Sequence, residues 1–433
     1  MLKNKPKIAV FGLGHIGLPA AALFADKGFD VIGVDINEEV VKSVNEGKSH
    51  ILEPGLDELV ERVVKNGKLT ATMDGVEAAK KAKIIIIVVP TPVTEKNRPD
   101  LTYISSACRT ISRGLKKGDL VIVESTVPPG TCDNVVIPIL EKSGLNVVKD
   151  FGVAYTPERA LPHNTLYEMT HNARVIGASD KKTAKRTAKL YKHITCGKTI
   201  IVKDLVTAEM VKLMENTYRD VNIALANEFA MICESLGVDA IDAINAANYH
   251  PRVNIHTPGP GVGGHCLSVD PYFIVDVAKK KGIDAKLIRT AREINEYMPF
   301  HVFKMIKRSL KEKGKNLKGS TIGILGVAYK GNVSDTRRTP SKPLINELIN
   351  FGATVLAHDP YVSDEEIEKM GAKPATLNEV LNCDCIVLMA DHDDYRKISP
   401  EMIQNSIFIC ARPLLKPNGF LRKGILFRGV GRI

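Results

Sequence analysis

Lys7-Ile8-Ala9-Val10-Phe11-Gly12-Leu13-Gly14-His15-Ile16-Gly17 is the stretch that decides the fold. Its apolar run ends at a glycine, as a buried strand does, and a helical pattern over Leu18–Lys27 follows. Asp30-Val31-Ile32-Gly33-Val34-Asp35 then reads as a second strand with an acid at its end. GxGxxG spacing is weak evidence alone. Between a strand and a helix, with an acid about 20 residues on, it is specific. The helix N-terminus offers free N–H groups and a positive dipole end to a pyrophosphate. A carboxylate at Asp35 accepts from ribose hydroxyls and repels a 2′-phosphate. The stretch therefore predicts a dinucleotide cradle at Gly12, Gly14, His15, Ile16, Gly17 and Asp35, with NAD favoured over NADP.

The same grammar recurs late in the chain. Thr321-Ile322-Gly323-Ile324-Leu325-Gly326 reads as a strand, Pro343–Phe351 as a helix, and Ala353–Asp359 as a strand ending in an acid. Its turn, Gly326-Val327-Ala328-Tyr329-Lys330-Gly331, lacks the GxGxxG series. Lys330 puts a point charge where backbone would approach, which suits phosphate. This half predicts a nucleotide diphosphate site, not a second NAD site. Further strands are expected at Ile84–Val89, Val121–Glu124, Cys385–Met389 and Ser406–Ile409. Strands alternating with helices imply parallel sheets.

Between the halves, Asp204–Leu236 has no proline and stops before Gly237. Met210, Leu213, Met214, Thr217, Val221 and Leu225 share one side at helical spacing, predicting the packing face. Lys212, Asn216 and Arg219 share the other, predicting a polar face. Ala285–Phe303 reads as a second helix, with Pro299 expected to kink or split it. The chain is thus expected to be an α/β protein: two doubly wound Rossmann-like domains, 1–203 and 316–433, joined by a central helical domain, 204–315.

The 433 residues, 44% hydrophobic and 25% charged, suit a globular protein with several cores. The longest strongly apolar run, Ile84–Val89, is too short to span a bilayer, and no membrane association is expected. The first residues enter a strand without a leader-like apolar core, and eight scattered cysteines read as reduced thiols; both set the expectation of a cytoplasmic protein. The charge of +11 comes from dispersed lysines without aromatic stacking platforms. It reads as a bias toward an anionic ligand, not as nucleic-acid binding. No metal is called for.

Gly261-Val262-Gly263-Gly264-His265-Cys266-Leu267-Ser268-Val269-Asp270-Pro271-Tyr272 sets one cysteine in a glycine-rich turn with an acid four residues on. Such a turn is often only structural, but backbone without Cβ atoms lets a substrate come close to a nucleophilic thiol. Pro90-Thr91 and Glu124-Ser125-Thr126 end buried strands, and Tyr155–Pro162 carries Glu158 on a loop. Each fits plain turn chemistry. Their shared place at the carboxyl edge, where ligands bind in such sheets, makes a site the coherent reading. A two-electron hydroxyacid dehydrogenase would need neither the cysteine nor the second nucleotide-like half. A non-catalytic NAD or nucleotide-sugar binder would need neither Cys266, Lys212, Asn216 nor Asp270.

With these motifs in order along nearly its whole length, the chain resembles the UDP-glucose/GDP-mannose dehydrogenase family. His265-Cys266, Val269-Asp270-Pro271-Tyr272 and Asn248–Asn254 are similar to the branch acting on UDP-N-acetylhexosamines. The resemblance implies NAD-dependent four-electron oxidation of a sugar C6 hydroxyl to a carboxylate, through a cysteine thiohemiacetal and thioester. The implied substrate is UDP-N-acetyl-D-mannosamine, with UDP-N-acetylglucosamine or UDP-glucose as alternatives. It also implies roles: Cys266 as nucleophile, Lys212, Asn216 and Asp270 beside the reacting carbon, and Thr126 and Glu158 around the catalytic water. Pro90, Thr91, Thr126 and Arg337 join the NAD contacts. Glu158, Arg159, Ala160, Leu161, Lys212, Asn216, Gly263, Tyr272, Lys330 and Arg412 contact the UDP-sugar, and Arg252 reaches across a homodimer. The sequence departs from the pattern at His15 (often tyrosine), at His163 (often glycine), and at Ala411-Arg412-Pro413 (usually Asp-Arg-Asn).

Overall fold

In the computed structural model, residues 5–94, 97–161, 163–404 and 407–432 are described; Pro162 and Ser406 of the segments above lie outside them. The chain forms two compact units. One runs up to Glu215 and takes in Tyr272–Ile283; the other holds Asn216–Pro271 and the chain from Asp284 on.

The first unit is built on an eight-stranded sheet. Its strands are β1 (Ile8–Phe11), β2 (Val31–Val34), β3 (Leu69–Thr72), β4 (Ile84–Ile87), β5 (Leu120–Val123), β6 (Gly152–Tyr155), β7 (Arg174–Ala178) and β8 (Thr199–Ile201). They lie in the order β3-β2-β1-β4-β5-β6-β7-β8. Every pairing is parallel except β6–β7, a departure from the all-parallel expectation. The first six strands have the doubly wound order, with the switch between β1 and β4. Helices cover both faces, so the strands are apolar on both sides. Ile8, Val10, Ile84, Ile86, Leu120 and Ile122 pack into one core, and Ala9, Phe11, Ile85, Ile87, Val121 and Val123 into the other.

The second unit repeats this on six parallel strands: β9 (Thr321–Leu325), β10 (Thr354–His358), β11 (Lys373–Pro374), β12 (Cys385–Leu388), β13 (Ile407–Cys410) and β14 (Leu426–Gly429). Their order is β11-β10-β9-β12-β13-β14. The α/β architecture with two doubly wound sheets and a long intervening helical stretch is as the sequence predicts.

Two helical expectations need correction. The helix Leu205–Leu236 forms, but its faces divide differently from the expectation. Leu213 and Thr217 of the expected packing face are buried, but Met214 and Leu225 of that face are exposed. Lys212 and Asn216 of the expected polar face are buried, as are Asp220 and Asn227, and of that face Arg219 is exposed. Asn216, Asp220 and Asn227 meet partners there, in Asp270, Arg292 and Asn295; an apolar count cannot see those partners. The second helix runs Lys286–Glu312, longer than expected, and passes through Pro299 unsplit. Pro299 is buried, and its helix packs Met298, Val302, Phe303 and Ile306 into the core of the second sheet. That apolar burial outweighs one lost backbone hydrogen bond of about 1 kcal/mol.

Candidate active site

At the head of β1 the chain must turn under the sheet. Gly12 does so with φ +94°, and a Cβ there would fall 2.2 Å from the Val88 carbonyl oxygen. A Cβ on Gly17 would lie 1.9 Å from the Gly12 oxygen, so the helix can start this close to the turn only with glycine. Beside Gly14 there is open space, and Gly14 and His15 are exposed. Asp35, one residue past β2, accepts from Leu13 N–H at 2.8 Å and from Asn37 N–H at 3.0 Å. Each Asp35 oxygen keeps further lone pairs for a ribose. Ser125 joins the neighbouring strand ends: its Oγ accepts from Val89 N–H at 2.9 Å and donates to Val89 O at 2.8 Å. Thr91 and Thr156, just beyond β4 and β6, carry buried hydroxyls with no hydrogen-bond partner. Open space over the turn, an anchored acid and two orphaned hydroxyls at the carboxyl edge fit a dinucleotide.

Glu158 follows β6. Its Oε1 accepts from Arg159 N–H at 2.6 Å and Ala160 N–H at 2.9 Å, and its Oε2 from Arg174 Nη2 at 2.9 Å. Arg174 is buried, stacks over Tyr191 at 4.5 Å, and stands 3.5 Å from Glu124. Burial pushes Glu124 up to about 7 against the pull of Arg174, and Tyr191 donates its hydroxyl to it. Glu158 is thus held, charge-compensated, by a cation that sequence reasoning missed. Arg159 pairs with Glu215 at 2.7 Å, and Leu161 N–H donates to Glu168 at 3.0 Å. His163 has φ +67°, the left-handed conformation glycine takes freely, and its N–H donates to Glu53 at 2.8 Å. That accounts for glycine being frequent there.

Lys212 lies buried on the Leu205–Leu236 helix, and Tyr272 stands half-buried. Glu209, one turn before Lys212 on the same face, accepts from Gly130 N–H at 2.5 Å and Cys132 N–H at 2.8 Å. It fixes the turn that follows Thr126, and burial pushes it up to about 7. Glu209, Lys212, Asn216, Asp220 and Asn227 recur at three- and four-residue steps apart from one double step. That polar line was the legible signal for the buried face.

In the second unit the glycine-rich segment is threaded through tight space. A Cβ on Gly263 would lie 2.6 Å from Tyr329 Cβ, and one on Gly264 2.9 Å from the Tyr329 ring. Gly264 N–H donates to the Arg337 carbonyl at 2.9 Å. Cys266 is exposed, and its carbonyl accepts from Val269 N–H at 3.0 Å and Asp270 N–H at 2.8 Å, opening the helix Asp270–Lys280. Asp270 is buried and accepts from Asn216 Nδ2 at 2.6 Å. The hydrogen bonds from Arg337 to Asp335 push the guanidinium's pKa up, with Cys266 a smaller contributor. Behind the segment, Arg292 pairs with buried Asp220 at 2.6 Å. Asn295 bonds Asp220 and Asn227, and Asn227 accepts from Gly259 N–H at 2.8 Å. A cavity of about 330 Å³ opens beside the loop, with Val262, Ser268, Arg338 and Lys342 in its wall. Lys330 is half-buried, and Arg412 Nη2 donates to the Tyr329 carbonyl at 3.2 Å, tying the Ala411-Arg412-Pro413 departure to the Lys330 turn. Arg252 lies exposed beside His250. Of the eight cysteines, Cys108, Cys132, Cys383, Cys385 and Cys410 are buried, with burial pushing each thiol up. Among the described residues no helix is long and apolar enough to cross a membrane.

Three family models match in succession. Residues 6–195 match the NAD binding domain of the UDP-glucose/GDP-mannose dehydrogenase family, 206–297 its central domain and 323–417 its UDP binding domain. A UDP-N-acetyl-D-mannosamine dehydrogenase of Pyrococcus horikoshii is 43% identical over 434 residues, covering 98% of this chain and 99% of its own. An NDP-N-acetyl-D-galactosaminuronic acid dehydrogenase of Ralstonia solanacearum is 40% identical over 418 residues, covering 94% of this chain and 95% of its own. The solved structure of a UDP-D-ManNAc dehydrogenase from Pyrococcus horikoshii superposes with a TM-score of 0.90 at 41% identity, covering 98% of this chain and 99% of that one. An NAD cradle on the first sheet, a UDP binding domain on the second and end-to-end identity above 40% leave one conclusion: the chain belongs to the UDP-glucose/GDP-mannose dehydrogenase family and is an NAD-dependent UDP-sugar dehydrogenase.

Proposed function

We propose that the enzyme oxidises UDP-N-acetyl-D-mannosamine at C6 to the uronate, in two two-electron steps. The observation that carries the sugar is the 43% identity, end to end, with a relative named for that substrate. The 40% identical relative named for a galactosaminuronic acid keeps a second acetamido sugar in view.

NAD+, when bound, supplies the hydride acceptor; Gly12, Gly14, Gly17 and Asp35 hold it, with His15 and Ile16 contributing backbone. Asp270 acts as the base through a water, held by Asn216 at 2.6 Å. Lys212 stabilises the developing oxyanion. Cys266 adds to the aldehyde and holds it as a thiohemiacetal, from which the second oxidation gives a thioester. Exposure of Cys266 on a cramped glycine turn supports this role. Glu158 is a positioning carboxylate for the hydrolytic water beside Thr126: both its oxygens already accept hydrogen bonds. Domain boundaries at 1–203, 204–315 and 316–433 go with this division of labour.

The enzyme acts as a homodimer. On the Leu205–Leu236 helix, Tyr218, Leu225, Phe229, Ile232 and Leu236 are all exposed and follow a near-heptad spacing. Such a seam suits a second copy of the helix, and exposed Arg252 is free to reach the neighbour's substrate.

The test is NADH yield per sugar over a panel of UDP-hexoses and UDP-hexosamines, with wild type and C266S. The reading expects two NADH per UDP-N-acetylmannosamine, and for C266S no second turnover and no covalent adduct by mass spectrometry. Two NADH per sugar from C266S at near wild-type rate would make Cys266 structural. Preference for another sugar would overturn the substrate alone.

A further inference from the structure

The second sheet repeats the acid of the first and then seals it. Asp359 follows β10 as Asp35 follows β2. Asp35 is half-exposed, whereas the Asp359 side chain is fully buried. Its Oδ2 accepts from Val327 N–H at 2.8 Å and Ala328 N–H at 3.1 Å, and its Oδ1 from Tyr361 N–H at 2.9 Å and Val362 N–H at 3.2 Å. His392 meets the same carboxylate, with Nε2 3.1 Å from Asp359 Oδ2. The imidazole is fully buried, stacked on Tyr361 at 5.0 Å and edge-on to Tyr395 at 5.5 Å.

The other ring nitrogen has a different task. Nδ1 lies 2.9 Å from the backbone nitrogen of Asn332. A backbone N–H can only donate and a carboxylate can only accept, so His392 is the neutral tautomer protonated at Nε2. Asp359 and His392 therefore grip one loop at both ends: Asp359 at Val327 and Ala328, His392 at Asn332. Lys330 lies between. The loop needs such ties. Asn332 is left-handed at φ +59°, and a Cβ on Gly331 would fall 2.2 Å from the Asp391 carbonyl oxygen. Asn332 and Asp393 exchange two further hydrogen bonds, at 2.7 and 2.9 Å.

We propose that His392 is a positioning residue for the UDP-sugar, holding the Gly326–Asn332 loop through Asn332 N–H so that Lys330 meets the diphosphate. This rests on the reading of Lys330 as a UDP-sugar contact. H392F keeps the buried ring and its stacking and removes both hydrogen bonds; H392Q offers one donor and one acceptor on a single amide. UDP and NAD+ binding are measured by titration calorimetry, with KM and kcat for the sugar, on the full chain. For H392F the expected result is UDP affinity weakened ~10-fold or more and sugar KM raised to match. NAD+ affinity and kcat at saturation stay within about 2-fold, and H392Q recovers most of the loss. K330A is the companion. If K330A weakens UDP binding and H392F does not, the positioning role fails while the Lys330 reading stands. If K330A leaves UDP binding unchanged, the reading beneath it fails. Loss of UDP and NAD+ binding together in H392F, unrecovered in H392Q, would make His392 a folding residue only and overturn the proposal.

Discussion

Replacing Arg174 by methionine tests the buried charge cluster behind Glu158. Methionine keeps most of the side-chain length against the Tyr191 ring but deletes the cation 2.9 Å from Glu158 and 3.5 Å from Glu124. All three charged groups are buried, so water cannot replace the lost partner. Removing one member of a buried pair costs about 3–5 kcal/mol, because the remaining charge is left uncompensated. At about 2–4 °C per kcal/mol for a domain of this size, the melting temperature of R174M should fall by roughly 6–20 °C. The sign with pH follows from Glu124, already pushed up to about 7 by burial. Without Arg174 the force that lowers it is gone, so it stays protonated to higher pH. The deficit should therefore be smaller at pH 5.5 than at pH 8, where Glu124 must ionise unpaired. Differential scanning calorimetry at both pH values measures it. Adding E158Q to R174M should restore part of the loss, since an uncharged amide needs no cation. A melting temperature within ~2 °C of wild type at pH 8, or a double variant no better than R174M, would refute the reasoning.

Glu209 has its pKa raised by burial from 4.5 to about 7, so its contribution to stability is present below pH 4.5 and fades as pH rises through 7. E209Q should gain on wild type by up to roughly 3 kcal/mol between pH 4.5 and 8.5, read as the difference of two melting curves; a constant difference would mean Glu209 does not titrate there. Kinetics with both cofactors should favour NAD+ over NADP+ by at least ~10-fold, and D35N should narrow the gap, because the carboxylate anchored by Leu13 N–H repels a 2′-phosphate. Changing Leu225 and Phe229 to glutamate should give a monomer in light scattering at micromolar concentration, since two charges per helix would enter the apolar seam. A dimer that persists in this variant places the interface elsewhere.

The amino-acid sequence by itself determined the two doubly wound sheets and the dinucleotide cradle. Those features are local: Ile84–Ile87 reads as a buried strand from its own side chains, and Gly12, Gly14, Gly17 and Asp35 sit at fixed offsets within one β-α-β unit. The glycine turn around Cys266 was legible for the same reason. Only the tertiary structure decided which face of the Leu205–Leu236 helix is buried. Periodicity weighs apolarity, and a face carrying Lys212, Asn216, Asp220 and Asn227 reads as solvated until Asp270, Arg292 and Asn295 are seen beside it. The same holds for Arg174 on Glu158, Glu209 under the Gly130 turn, and His392 on Asp359. Each joins residues 16 to 79 positions apart, and each exists because a buried charge or polar group must find a partner where water is absent. Sequence gives the cost of burying such a group; only the folded chain supplies the partner that offsets it.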